Sequence, residues 1–191
     1  GPDTDQLLLA RDDRSPANVA QRACWIWQEL AVPVIAVLQG AVFGGGLQLA
    51  LAADLRIAAA DTQLCVMEGR YGLIPDQSAT QTLLRLVRQD VARELTFTAR
   101  IVDATEGHAI GLVTRLADDP LATAQALAKE IAARSPDAVR AAKRLYQSAQ
   151  DQSPAVTFRQ ETDAQLKLLR TPNQIEAVMA VMQKRPAVFE D

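Results

Sequence analysis

The sequence predicts an α/β domain, in which strand–turn–helix units come first and a helical C-terminal third follows. Three consecutive glycines, Gly44–Gly46, separate the β-branched apolar run 33–38 from the apolar run 47–53, which is helix-like. From Ser78 onward the pattern is almost entirely one of short amphipathic helices. The alanine-rich chain has only 4% aromatic residues, which favours close helix packing over a β-sandwich.

The turn signals divide the chain into elements. Ser15 and Pro16 predict an N-cap and first helical position, for a helix that runs to about Leu30. Gly111 predicts the end of a later helix. The remaining expected elements are strands at 34–38, 55–59, 63–67 and 112–116, and helices at 47–54, 80–87, 90–99, 103–110, 120–134 and from 136, 154 and 172.

Length and composition limit the function. The 191 residues are 49% hydrophobic with a formal charge of −3, so we expect one domain and no nucleic-acid partner. No apolar run approaches the ~20 residues that cross a membrane, and no signal peptide is visible. Cys24 and Cys65 have no metal-ligand spacing and resemble core thiols, which predicts a cytoplasmic location. We assign 1–130 to a core and 131–191 to a helical region of the same structural unit.

The glycine turn predicts a binding site for an anion. Glycine allows close approach to the backbone, and the first N–H groups of a helix have no partner inside it. Such groups can bind an anion, or an oxyanion that exists only in a transition state. The spacing matches neither a dinucleotide fingerprint nor a phosphate-binding P-loop. Tight strand-to-helix packing is the alternative explanation.

The segment 68–76 is a second candidate. Glu68 and Asp76 are separated by Gly72 and Pro75, so a loop can fold both carboxylates toward one point. Carboxyl groups beside apolar residues are suited to general acid–base chemistry. The alternative is that they are exposed loop acids.

Together these segments resemble the crotonase superfamily of enoyl-CoA hydratases and isomerases. The resemblance is carried by the run 33–50 (PVIAVLQGAVFGGGLQLA), by Ala53-Asp54-Leu-Arg-Ile-Ala58 and by Glu68-x-x-x-Gly-Leu-Ile-Pro75. It continues through Ala104, Ala109 and Gly111-Leu-Val113, then Ser135-Pro136, and ends at Lys184-Arg-Pro-Ala-Val-Phe189. The set covers nearly the whole chain from Ala17.

The resemblance implies a crotonase (ClpP-like) fold of repeated ββα units with a helical C-terminal trimerisation region. It implies an acyl-CoA thioester substrate, no cofactor or metal besides, and a homotrimer or a dimer of trimers. By position, the N–H of Gly45 would hold the thioester oxygen as it becomes an enolate. The second such donor belongs to an upstream A-G-x-D segment that this sequence does not contain, so the chain is expected to lack its N-terminal part.

The resemblance also assigns the remaining site residues. Glu68 would be the principal base and Asp76 a second acid or an orienting group. Gln48 stands where hydratases of the family have a glutamate, and it would hold a water molecule or the substrate by hydrogen bonds. Glutamine cannot accept a proton from water as a carboxylate can. Double-bond isomerisation of an enoyl- or dienoyl-CoA is therefore favoured. The resemblance further implies substrate contacts from Gly44, Leu73, Pro75, Lys184 and Phe189.

Two alternatives remain open at this point. One is a hydratase of fatty-acid β-oxidation in which Gln48 orients a water molecule for Glu68. The other is a non-catalytic subunit that keeps the scaffold and binds acyl-CoA.

Overall fold

The structure is a computed structural model and describes residues 15–190. The polar start of the chain, including Gly1–Asp5, lies outside the described residues. The helices are Val19–Glu29 (α1), Gly45–Leu51 (α2), Ala79–Leu86 (α3), Gln89–Thr98 (α4), Ala104–Ile110 (α5), Pro120–Ala132 (α6), Pro136–Ala149 (α7), Pro154–Leu168 (α8) and Pro172–Gln183 (α9). The strands are Ile35–Leu38 (β1), Ala41–Phe43 (β2), Leu55–Ala58 (β3), Gln63–Cys65 (β4), Val102–Asp103 (β5) and Arg115–Leu116 (β6).

The described chain divides into two compact units. The first contains the described residues up to 30 together with 34–124, and the second contains 31–33 and 125–190. The assignment of 1–130 and 131–191 to one structural unit stays a prediction.

The first unit contains two small sheets. One is fully parallel in the order β1-β3-β6, with Ile35 opposite Leu55. The other has the order β2-β4-β5, in which β2 and β4 are parallel and β5 is antiparallel. The chain passes from β1 in one sheet to β2 in the other, forms α2, and then repeats the passage from β3 to β4. These repeated ββα turns are the architecture predicted from the sequence.

The core of the first unit lies between these sheets and the helices that cover them. Apolar side chains of the strands meet the buried faces of α2, α3 and α4 there. Among its fully or nearly fully buried members are Leu38, Leu47, Leu51, Leu64, Leu83, Leu95 and Leu112. Burial of this apolar area supplies the main favourable free energy of folding.

Arg56 is buried within the first unit and organises its backbone. Its Nε donates to the carbonyl of Leu112 and its Nη1 to that of Ala53, both at 2.7 Å. Burial lowers the pKa of Arg56 to about 10, and the charge of Asp54 opposes that shift. A buried cation is tolerated here because backbone carbonyls satisfy its donors.

The structure differs from the predicted elements in several places. Helix α1 begins at Val19 rather than near Pro16, because Asn18 and Gln21 form a reciprocal capping box at the helix start. Strands β2 and β5 were not expected. The strand expected at 112–116 is limited to Arg115–Leu116, since Leu112 and Val113 bond back to the carbonyl of Gly107.

The end of α5 and the starts of the helices in the second unit lie close to the positions predicted from the sequence. Gly111 ends α5 at a φ of 98°, where an added Cβ would lie 2.5 Å from the Leu86 carbonyl oxygen. In the second unit α7 and α8 pack against each other, and each of α7, α8 and α9 begins with a proline. The helical C-terminal region is therefore confirmed.

Within the part of the chain that the structure describes, no helix is long and apolar enough to cross a membrane.

Candidate active site

Gly44 joins strand β2 to helix α2 in a conformation that favours glycine. Its φ is 52° and its ψ −124°, and its N–H donates to the Cys65 carbonyl at 2.9 Å, which prolongs the β2–β4 pairing. A Cβ added at Gly44 would lie 3.3 Å from Oε1 of Glu68. The missing side chain therefore lets the carboxylate approach the backbone.

Gly45 is the first residue of α2. The first hydrogen bond of the helix runs from the Gln48 N–H to the Gly44 carbonyl at 3.0 Å, so the Gly45 N–H has no acceptor inside the helix. Gly45 also lines a cavity, described below. The arrangement makes this N–H available to an acceptor bound there.

Gln48 lies one turn further along α2 and is only 2% exposed. Its Oε1 accepts the backbone N–H groups of Gln77 at 2.8 Å and Ala79 at 3.4 Å. Its Nε2 donates to Oε1 of Glu68 at 2.7 Å. The amide is thus oriented by the backbone on one side and by a carboxylate on the other.

Glu68 begins a 3₁₀ helix, Glu68–Tyr71, that is fastened to the end of α4. The Ala99 carbonyl accepts from Arg70 Nε at 2.9 Å and from Cys65 Sγ at 3.2 Å. The turn closes where the Leu73 N–H donates to the Glu68 carbonyl at 3.1 Å. While Oε1 of Glu68 accepts from Gln48, its buried Oε2 has no hydrogen-bond partner among the described residues.

These residues surround a cavity of about 730 Å³ in the first unit. Its walls combine two carboxylates, the glycine turn and large apolar side chains. The lining residues are Ala20, Phe43, Gly44, Gly45, Met67, Glu68, Tyr71, Leu73, Ile74, Asp76 and Gln77. Such a mainly apolar cavity with a few polar groups is typical of small-molecule sites.

The fold brings together most of the residues singled out from the sequence. Gly44, Gly45, Glu68, Leu73 and Asp76 line the cavity, and Gln48 reaches it through its hydrogen bond to Glu68. Their roles stay predictions.

Three other residues singled out from the sequence lie elsewhere. Pro75 is buried beside the lining residues rather than among them. Lys184 and Phe189 belong to the second unit, where Lys184 is exposed and Phe189 half-buried. Their proposed contacts with substrate stay predictions.

Sequence reasoning missed Gln77. Its backbone N–H donates to Gln48, and its side-chain Oε1 accepts from Cys24 Sγ at 3.6 Å. An added Cβ at Gly45 would lie 3.0 Å from that same Oε1. Only its position directly after Asp76 could have indicated a role, because its contacts join segments far apart in the chain.

Two buried thiols lie beside the site. Burial raises the pKa of Cys24, and the charge of Asp76 adds to the effect. Burial also raises the pKa of Cys65; Arg70 opposes the shift and Glu68 reinforces it. Both cysteines are free and buried, as expected for core thiols.

In residues 15–190 no cluster of three or more His, Cys, Asp or Glu side chains could hold a metal ion. The prediction of a site without cofactor or metal stays a prediction.

The chain matches the enoyl-CoA hydratase/isomerase family over residues 8–191. It belongs to that family. The Bacillus subtilis protein YngF, which carries an enoyl-CoA hydratase/isomerase name, is 34% identical over 194 residues, covering 100% of this chain and 75% of its own length. Human mitochondrial methylglutaconyl-CoA hydratase is 32% identical over 167 residues, covering 84% of this chain and 49% of its own. The chain thus spans about half the length of that human relative.

The fold agrees with that assignment. The crystal structure of an enoyl-CoA hydratase from Bacillus anthracis superposes with a TM-score of 0.86 at 31% identity, covering 90% of this chain and 67% of that one. The crotonase fold expected from the sequence is thereby confirmed.

Proposed function

We propose that this member of the enoyl-CoA hydratase/isomerase family moves a carbon–carbon double bond in an acyl-CoA thioester. The observation that carries the proposal is the fixed hydrogen bond from Gln48 Nε2 to Glu68 Oε1. This hydrogen bond supports a site in which Glu68 is the carboxylate and Gln48 is its amide partner. A hydratase site would instead have two carboxylates that share a water molecule. The unpartnered Oε2 of Glu68 is then the atom that accepts a proton.

The first step is removal of a proton from C2 of a 3-enoyl thioester. Oε2 of Glu68 takes the proton, the electrons of the broken C–H bond form a double bond between C1 and C2, and the π electrons of the thioester carbonyl move to its oxygen. The carbonyl oxygen becomes an enolate oxygen that accepts the N–H of Gly45. This hydrogen bond stabilises the transition state, in which negative charge develops on the oxygen, more than it stabilises the bound substrate. It therefore lowers the barrier.

The second step returns a proton at C4. The enolate electrons reform the carbonyl and the C2–C3 double bond, while the former C3–C4 double bond takes the proton. The donor is the protonated carboxyl group of Glu68 or, alternatively, a protonated carboxyl group of Asp76; both residues line the cavity. Atoms balance, because one proton leaves C2 and one arrives at C4.

Hydration is the second candidate function, favoured by the names of relatives such as the human methylglutaconyl-CoA hydratase. It requires a water molecule activated at Glu68. Gln48 can supply its second Nε2 hydrogen to such a water but cannot remove a proton from it. A scaffold that binds acyl-CoA without turnover is the third possible result.

The deciding experiment follows each reaction separately. The protein is incubated in heavy water with trans-2-, cis-3- and 3,5-dienoyl-CoAs, and the products are read by NMR and mass spectrometry. Deuterium incorporation with a shifted double bond supports isomerisation. Efficient formation of the 3-hydroxyacyl product favours the hydratase instead, and binding without any exchange favours the scaffold.

We also propose that the active assembly is a homotrimer or a dimer of trimers, and that Lys184 and Phe189 contact the nucleotide part of CoA. Lys184 supports the proposal as an exposed cation that can face phosphate. Sedimentation analysis tests the assembly. A Lys184→Ala variant tests the contact. We expect its KM to increase for the CoA thioester and to stay unchanged for the shorter pantetheine thioester, which lacks the nucleotide.

A further inference from the structure

Three exposed apolar residues, Tyr71, Leu73 and Ile74, form one wall of the cavity beside Glu68. Tyr71, Leu73 and Ile74 are 72%, 65% and 74% exposed, although they follow one another closely in a single turn. Phe43 and Met67 continue the same lining. Contiguous exposed apolar side chains on a cavity rim indicate a surface that a ligand covers.

The charged residues in the described lining of this cavity are both acids. Glu68 and Asp76 line it, and the described lining residues include no lysine, arginine or histidine. The neighbouring cation, Arg70, donates its Nε to the Ala99 carbonyl and is not part of the lining. An anionic group inside the cavity would therefore meet two carboxylates and an apolar wall, with no opposite charge from the described lining.

We propose that this site selects acyl groups without charge and rejects acyl groups that end in a carboxylate. The inference rests on the proposed function insofar as the ligand is an acyl-CoA. Binding of an apolar acyl chain is favourable, because its carbons and the side chains of Tyr71, Leu73 and Ile74 are removed from water together. A terminal carboxylate would lose its hydration against the same wall and be repelled by Asp76. Asp76 and Ile74 are thus specificity-determining residues.

The test uses two saturated thioesters that differ only at the chain end, pentanoyl-CoA and glutaryl-CoA, with free CoA as reference. Neither contains a double bond, so titration calorimetry measures binding whether or not the protein is an isomerase. Pentanoyl-CoA is expected to bind more tightly than glutaryl-CoA by at least about tenfold, because like charges are brought together only in the second complex. Equal affinities, or a preference for glutaryl-CoA, would overturn the inference.

A charge variant assigns the discrimination to this wall. Ile74→Lys places a cation on an exposed lining position, so the ratio of the two dissociation constants should fall by at least about tenfold. Leu121→Lys, an identical charge change at an exposed apolar position outside the lining, should leave the ratio unchanged. An unchanged ratio in Ile74→Lys, or an equal fall in both variants, contradicts the role of the wall.

The outcomes separate this inference from the proposed function. If the thioesters bind in the expected ratio but no exchange occurs in heavy water, only the isomerase proposal fails. If exchange occurs and the ratio is one, only the charge selection fails. If the protein binds none of the three ligands, both proposals are overturned.

Discussion

The side-chain amide of Gln48 donates a hydrogen bond to the carboxylate of Glu68, with 2.7 Å between Nε2 and Oε1. The orientation of that amide is fixed, because its oxygen accepts the backbone N–H groups of Gln77 and Ala79. A flipped amide would turn its NH₂ toward two donors and its oxygen toward a carboxylate. Gln48 is therefore a committed donor to Glu68, and this relationship makes the site testable.

Gln48→Glu should change the pH dependence of the reaction. The new carboxylate keeps an oxygen for the N–H of Gln77 but brings its second oxygen to the position 2.7 Å from Glu68. Two carboxylates this close retain a proton between them. We expect the rate at pH 7 to fall by about tenfold or more and the rise of the pH–rate profile to move to higher pH.

The control for that variant is Gln81→Glu, the same chemical change on the exposed surface of α3. It should leave the profile where it is. A Gln48→Glu protein with the wild-type profile would show that the hydrogen bond does not govern the base. A gain of 3-hydroxyacyl product would favour the hydratase chemistry.

Glu68→Gln should abolish proton exchange while acyl-CoA binding persists. The variant keeps the size of the side chain but removes the general base, a loss of roughly 10²–10⁴ in rate. Deuterium exchange of the substrate measures the loss, and titration calorimetry measures binding. Glu161→Gln, on the exposed surface of α8, is the matched control and should retain full activity. Exchange at the wild-type rate in Glu68→Gln would exclude this residue as the base.

Gly45 can be tested by a pair of variants that share the added Cβ. Both Gly45→Ala and Gly45→Pro place a Cβ near Gln77 Oε1, but only proline removes the N–H. Proline is well tolerated at the first position of a helix. We expect Gly45→Pro to be slower than Gly45→Ala by roughly 10²–10³ in kcat, the effect of losing one oxyanion donor. Similar rates in two variants of equal melting temperature would contradict the role.

The elements around the glycine turn could be predicted because their signals are local. The β-branched run before Gly44, the helix after it and the prolines that begin α6, α7, α8 and α9 are local signals, because they depend on few neighbouring residues. Strand β2 was missed, since three residues between two glycines are too short to show alternation. The start of α1 was misplaced because the side chains of Asn18 and Gln21 cap it more completely than Ser15 could.

The site was only partly predictable for a physical reason. Gln48 and Glu68 are singled out by the resemblance, but their hydrogen bond joins residues twenty positions apart and depends on how β2 and β4 pair. The contacts of Gln77 and the fastening of Arg70 to Ala99 are equally non-local. The hydrophobic periodicity of the sequence does not show which distant residues form hydrogen bonds, because these contacts arise only when the chain is folded.

The two buried thiols should make the protein less stable in alkali. Burial raises the pKa of Cys24 and of Cys65 above the ordinary value of 9.0, so the native state holds these protons more tightly than the unfolded chain does. Their contribution is complete below pH 9 and is lost as the pH rises through the higher native values. Urea unfolding at pH 8 and pH 10 should show a smaller decrease for Cys24→Ala than for wild type. Parallel decreases would contradict the linkage.

The end of the chain is held against α9 by side chains of that helix. Glu176 pairs with Arg185, with 2.7 Å between Oε2 and Nη2, and accepts the Val188 N–H at 2.8 Å. Asn173 bonds both the N–H and the carbonyl of Glu190. The hydrogen bond from Arg185, and then that from Val188, lower the pKa of Glu176 to about 2.

Glu176→Gln should therefore loosen residues 184–190 at neutral pH. The lowered pKa means that the attachment is complete above the ordinary value of 4.5 and is lost as the pH falls through about 2. Hydrogen exchange followed by mass spectrometry at pH 6 should show faster labelling of the C-terminal peptide in Glu176→Gln than in wild type. Glu161→Gln removes a charge from the neighbouring helix and should leave that peptide unchanged. Equal labelling in all three proteins would contradict a role of Glu176 in holding the segment.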